Sequence, residues 1–223
     1  SVGSIGHIGA WSFCQDKIMT TGGEGGMVTT NDENLWKKMW SYKDHGKSWD
    51  AIYNKKHPPG FRWLHESFGT NWRMTEMQAA IGRIQLRKMP EWTSKRQANA
   101  KAIDEVANLS PVVRTVIVSD DIEHAEYKHY IFIRPEYLKD NWSRDRIVDE
   151  INAGGVPCFQ GSCSEVYLEK AFDNTGWRPE TRLPNAIELG ETSIMFLVHP
   201  TLSQQEISKT CEVLRRVLKD AEK

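Results

Sequence analysis

A glycine-dense reversal between two short apolar runs constrains this chain more than any other feature. Gly22-Gly23-Glu24-Gly25-Gly26 follows Trp11-Ser12-Phe13-Cys14-Gln15-Asp16-Lys17 and precedes Met27-Val28-Thr29-Thr30. Residues 5–13 read as a short strand and Gly26–Thr30 as a second, so the glycines mark a tight reversal behind Lys17. A glycine-rich phosphate cradle needs a helix N-terminus directly after it, and a strand-like run follows here instead. A lysine between a strand and such a turn can lie buried and immobile. Desolvation then favours the neutral amine, which can attack an aldehyde carbon. The alternative for Lys17 is an ordinary solvated surface charge.

Asn31-Asp32 can cap a helix carrying Leu35, Trp36, Met39 and Trp40 on one face, ending near His45-Gly46. Residues 46–68 are aromatic, basic and interrupted by Pro58-Pro59-Gly60, and read as a long excursion. Thr75-x-x-Gln78 resembles a capping box opening a helix with Met74, Met77, Ala80, Ile81 and Ile84 at helical spacing, which predicts core packing for that face. Pro90 is expected to break or kink this helix, with Glu91–Leu109 continuing as a more polar one.

Beyond about residue 110 the pattern changes. Val112–Val118, Tyr130–Arg134, Val156–Phe159 and Ser193–Val198 read as extended segments. Ser143 can cap a helix over Arg144–Asn152 ended by Gly154-Gly155, and a further helix is expected around Ser164–Phe172. Ser203-x-x-Glu206 forms a second capping box, and Ile207, Cys211, Leu214 and Leu218 line the final helix. The chain is therefore read as α/β, with residues 1–109 and 110–223 as two parts.

The 29 basic and 30 acidic residues leave a formal net charge of -1, which gives no electrostatic argument for nucleic acid or an anionic membrane as partner. No apolar run approaches the roughly 20 residues of a bilayer span, and no signal-peptide pattern is recognisable. The four cysteines show no CxxC pair and no metal-like spacing, which suits a reduced, cytoplasmic protein without a metal site. Nine tryptophans is a high number, and Trp36, Trp40, Trp49, Trp63 and Trp72 fall before residue 75, suggesting a broad buried surface or interface.

The run Gly9–Asp32 resembles the DegT/StrS family of sugar aminotransferases, pyridoxal-phosphate enzymes of the aspartate aminotransferase fold (fold type I). The resemblance continues through Lys43-Asp44-His45-Gly46, Gly69-Thr70-Asn71-Trp72-Arg73-Met74 and Glu76–Gly82. It also covers His129–Arg134, Leu197–Leu202 and the final capped helix, in the family's order and spacing. The resemblance implies that Lys17 is the Schiff-base lysine, bound to pyridoxal 5'-phosphate and shuttling the proton, and that Ser12 is a phosphate ligand. It implies that Asn71 reaches across a homodimer interface to the phosphate of the other subunit; a turn or cap asparagine is the other reading. Arg73 suits a donor carboxylate or a nucleotide phosphate, and equally a structural salt bridge at a helix start. His45 has a substrate role to weigh against a cation ending a helix.

The resemblance further implies transfer of an amino group from glutamate to a nucleotide-linked keto sugar. Dehydration on the same scaffold is an alternative, although that variant replaces the lysine. Two local departures are visible. Cys14-Gln15-Asp16 stands where many members have a proline, and Gly161-Ser162-Cys163-Ser164-Glu165 offers Cys163 where many carry a histidine. The family's phosphate turn, ring-stacking residue and pyridine-binding aspartate have no counterpart in these residues. The expectation is a C-terminal part of such an enzyme, a remnant of the large domain plus a small α/β domain. By itself that part would be inactive, or a cofactor-free piece that folds and self-associates.

Overall fold

The computed structural model of the chain describes every residue except Phe61. Two compact units are present, Ser1–Met89 and Pro90–Lys223. They divide ahead of the 109/110 boundary suggested by composition, because Ala100, Ile103, Val106 and Ala107 belong to the second unit's core.

In the first unit, strands β1 (Gly9–Ser12) and β2 (Gly26–Thr29) pair antiparallel, Gly9 opposite Thr29 and Ser12 opposite Gly26. The reversal between them uses Gly22 at φ 85° and Gly23 at φ 133°, backbone that side chains with a Cβ rarely adopt. Helix α1 (Glu33–Lys43) starts where expected. Asp32 Oδ1 accepts from the backbone N–H groups of Asn34 and Leu35 at 2.8 and 3.0 Å, satisfying two donors the helix itself cannot. The excursion that follows is not irregular throughout. Ser48 caps a short helix, α2 (Trp49–Tyr53), and Trp49 stacks edge-on against Trp36 and Trp40 with centroids 4.9 and 5.3 Å apart. The tryptophans do not form one buried surface, however, since Trp63 and Trp72 are 80% and 69% exposed.

Helix α3 spans Glu76–Ala107 without interruption and contains Pro90, contrary to the expected break. The proline removes one N–H and so one ladder bond, and the 32-residue helix runs on through it with Pro90 itself exposed. At its start Gln78 N–H donates to Thr75 Oγ1 and Thr75 N–H to Gln78 Oε1, so the capping box is real. Core packing of its first apolar face is corrected: Met77, Ile81 and Ile84 are exposed. Its contacts with the glycine-rich turn come from small and polar residues and from the tip of Ile81, 3.0 Å from where a Gly22 Cβ would lie. A Cβ on Gly82 would lie 2.9 Å from Thr21 Cγ2, and Gln78 and Gln85 hydrogen-bond the glycine-rich turn.

The second unit contains β3 (Val113–Thr115), β4 (His129–Ile133), α4 (Arg144–Ala153), β5 (Cys158–Phe159), α5 (Pro184–Thr192), β6 (Ser193–Phe196) and α6 (Gln204–Ala221). Its strands form one antiparallel sheet in the order β3-β4-β6-β5. All four residues of β6 are buried, as befits an inner strand. Ile103, Ile131, Ile147, Ile151, Ile194 and Leu214 make the core. Ser143 and Ser203 cap α4 and α6 as their spacing predicts, the latter with a reciprocal Glu206 bond. Three expectations change. Strand β3 stops at Thr115, leaving Ile117 95% exposed. The helix expected over 164–172 is a pair of short 3-10 turns, Val166–Leu168 and Lys170–Phe172. Helix α5, begun by Pro184 in the first turn, was not anticipated. Among the described residues, no helix is long and apolar enough to cross a membrane.

Candidate functional site

Ser12 ends β1, and the chain after it is held by backbone bonds. Phe13 N–H donates to Gly25 C=O at 2.8 Å, while Phe13 C=O accepts from Thr21 N–H at 3.3 Å and Thr20 Oγ1 at 3.1 Å. A Cβ on Gly25 would fall 2.1 Å from Thr21 Oγ1, so the turn closes only around a glycine. The turn is tied to α3 by Gln78 Nε2 donating to Glu24 C=O at 2.7 Å and Thr20 N–H donating to Gln85 Oε1 at 2.8 Å. Lys17 and Ser12 thus project from one fixed segment. Cys14 links them, its N–H donating to Ser12 Oγ at 3.4 Å and its C=O accepting from Lys17 N–H at 3.1 Å.

The burial expected of Lys17 is not found. Its side chain is 37% exposed and Nζ lies 3.0 Å from Asp16 Oδ1, because Gln15 and Asp16 beside it are themselves exposed. A primary amine and an exposed hydroxyl still suit an aldehyde cofactor bearing a phosphate. Ser12 Oγ accepts from Cys14, which leaves its own O–H to donate outward. The donor set therefore fits pyridoxal phosphate.

The other three candidates meet at a residue that had no assigned role. Asp44 follows α1 and is 6% exposed. Its Oδ1 has Arg73 Nη1 at 3.2 Å, His45 Nδ1 at 3.3 Å and Lys47 Nζ at 3.5 Å, although none of these is an aligned hydrogen bond. Arg73 Nε also donates to Asn71 Oδ1 at 3.2 Å. Backbone pairing fixes the cluster: His45 N–H donates to Thr70 C=O, Thr70 N–H to Tyr42 C=O and Trp72 N–H to Lys43 C=O, at 2.9, 2.6 and 3.0 Å. Gly46, at φ 88°, passes so close that a Cβ would sit 1.7 Å from Ser67 O. His45 takes a left-handed turn, φ 61°, to end the helix. The structure thus groups His45, Asn71 and Arg73 on Asp44, and Ser12 with Lys17 on the turn. Sequence reasoning missed Asp44 as the hub because Arg73 reaches it only through the tertiary pairing of 43–47 with 65–72, although His45 and Lys47 stand beside it in the chain.

Between these segments lies a cleft of about 1230 Å³ lined by Trp11, Met27, Trp36, Tyr42, Trp72 and Arg73, among others. Lys17 does not line it. All of this lies within the first unit.

The chain is 40% identical to GDP-perosamine synthase of Caulobacter vibrioides over 221 residues, covering 97% of the chain and 54% of that protein. An aminotransferase from Psychrobacter cryohalolentis solved by X-ray crystallography is 62% identical, with a TM-score of 0.95, over 99% of this chain and 58% of that one. The Streptococcus pneumoniae protein Spr1654, solved in a PLP-form, shares the fold at 22% identity and TM-score 0.78, over 98% and 53% of the two chains. The chain spans about half the length of the curated relatives it matches. Its α/β architecture is accordingly that of about half of such an aminotransferase chain. A matching family description covers residues 1–215, and with it the turn of Lys17, the Asp44 cluster and the antiparallel sheet: the chain belongs to the DegT/DnrJ/EryC1/StrS aminotransferase family.

Proposed function

We propose that this chain carries the lysine half of a pyridoxal-phosphate site that transfers an amino group from glutamate to a nucleotide-linked keto sugar. The observation that carries this reading is the fixed strand-to-glycine turn presenting Lys17 and Ser12 together, in a chain matching the family over residues 1–215. Aminotransferases of the family depend on pyridoxal phosphate. When bound, the cofactor supplies an electron sink for the carbon that loses its proton.

The protein's own groups have separable tasks. Lys17 Nζ would hold the cofactor covalently, be released when the donor amine takes its place, and as the free amine carry the proton taken from the amine-bearing carbon; for attack and for proton transfer it must leave Asp16 and become neutral. Ser12 O–H donates to a phosphate oxygen. Asn71, exposed on the edge of the Asp44 cluster, donates to the phosphate held by a second copy, so the working assembly is a homodimer with shared sites. Arg73 orients a donor carboxylate or a nucleotide phosphate by its planar fork, and His45 stands beside it on the substrate side. The relative that synthesises GDP-perosamine supports a nucleotide-linked sugar as acceptor. Residues 1–109 are read as part of the cofactor-binding large domain and 110–223 as the small domain.

The test is chemical. After incubation with pyridoxal phosphate, borohydride reduction and peptide mapping are expected to place the label on Lys17. Label on Lys43, Lys47 or scattered surface lysines would overturn the assignment. A screen of nucleotide keto sugars with glutamate, run on the full-length protein, then identifies the acceptor.

A further inference from the structure

We infer that Asp44 is a positioning residue which, through Arg73, fixes the polarity of the Asn71 side-chain amide so that its N–H groups face outward. The inference rests on the proposed role of Asn71 as a phosphate donor only for its functional meaning; the geometry stands by itself.

An asparagine amide offers an acceptor at one end and two donors at the other, and nothing in the residue decides which end meets a ligand. Here the neighbour decides. A guanidinium can only donate, so the amide atom 3.2 Å from Arg73 Nε has to be Oδ1, and Nδ2 is turned away. The guanidinium is held in turn by Asp44, whose carboxylate lies 3.2 Å from Nη1. Arg73 therefore spans the two, with Nη1 on the carboxylate and Nε on the amide. A lysine could satisfy one of these contacts but not both, because it is a point charge on a flexible stem.

Asp44 has the properties such a role needs. It is 6% exposed, and its backbone is clamped opposite Asn71 by a bridge between the two residues. Lys47 faces the same oxygen and offsets the charge of the buried carboxylate, and His45 Nδ1 lies 3.3 Å from it. Its position is set by the close passage of Gly46 past Ser67, and a backbone carbonyl cannot retreat as a side chain can. Outward N–H groups are what a phosphate oxygen requires, whereas an amide in the opposite orientation would present an acceptor and repel it.

The experiment follows the Arg73 Nε–H and Asn71 Nδ2–H₂ resonances by ¹H–¹⁵N NMR of the 223-residue chain without cofactor, with circular dichroism as the control for folding. Asp44→Asn keeps the shape and removes the charge. Arg73→Lys keeps the charge and removes the fork. In the unaltered chain Arg73 Nε–H is expected to exchange with solvent at least about fivefold more slowly than a free guanidinium, the equivalent of one ordinary hydrogen bond. Asp44→Asn is expected to abolish that protection and shift the Asn71 amide signals, and Arg73→Lys to shift them likewise, at unchanged helix content. Unaltered Asn71 signals in both variants would overturn the relay. If Asp44→Asn fails to fold, Arg73→Lys decides the matter, since Arg73 is half-exposed. Adding inorganic phosphate, then pyridoxal phosphate, is a separate arm. Unmoved Nδ2–H₂ signals there would sink the phosphate role of Asn71 while leaving the relay intact.

Discussion

The second unit contains a buried cation whose pH dependence can be worked out from its surroundings. His129 opens β4 and is 4% exposed. Its Nε2 lies 2.9 Å from Asp104 Oδ1 on α3, and its Nδ1 lies 3.3 Å from Glu126 Oε2 on the preceding loop, which His124 also touches at 2.9 Å. Burial disfavours the charged ring, but hydrogen bonds and attraction from Asp104 and Glu126 overcome it and push the pKa up from 6.5 to about 9. That difference corresponds to about 3 kcal/mol at roughly 1.4 kcal/mol per pKa unit. Since the folded-state pKa is raised, the contribution is complete below pH 6.5 and lost as pH rises to about 9. Between those values only the unfolded chain releases the proton, and stability falls by roughly 1.4 kcal/mol per pH unit. Urea unfolding followed through the β4 and β6 amide signals is expected to show that slope, and His129→Gln to abolish it. A ring that titrates near its ordinary pKa, or a flat stability profile between about pH 6.5 and 9, would refute the argument.

Two further outcomes follow from packing. Burial pushes the Cys158 thiol up to about 12, whereas Cys163 is exposed. A thiol reagent at neutral pH is therefore expected to modify Cys163 in the folded chain and reach Cys158 only after unfolding; equal rates at both would contradict the core described here. Gly46→Ala is expected to destabilise the first unit by more than about 1 kcal/mol, because the new Cβ meets Ser67 O and the backbone is left-handed there. Thermal unfolding that is unchanged in this variant would show that segments 44–48 and 64–70 are not paired as described.

What the sequence determined by itself is what short-range chemistry settles. Asp32, Thr75, Ser143 and Ser203 start helices because each side chain reaches a backbone N–H two or three residues away, so the signal and the contact occupy one window. The reversal before β2 was legible for the same reason, since positive φ at Gly22 and Gly23 is a local demand. The family's spacing of Ser12, Lys17 and Asn71 could also be read along the chain. Tertiary structure decided the rest. Pro90 does not end α3: the helix continues with one donor missing into Ala100, Ile103, Val106 and Ala107, which are anchored in the second unit's core. Met77, Ile81 and Ile84 are exposed despite their helical spacing, since periodicity marks an apolar face without saying whether anything covers it. Lys17 keeps 37% of its side chain exposed, which its place between a strand and a glycine turn does not reveal. Asp44 and His129 look like ordinary polar residues in sequence. The fold completes each cluster by bringing in a partner from another segment, Arg73 to within 3.2 Å of Asp44 and Asp104 to within 2.9 Å of His129, beside the sequence-local Lys47 and Glu126.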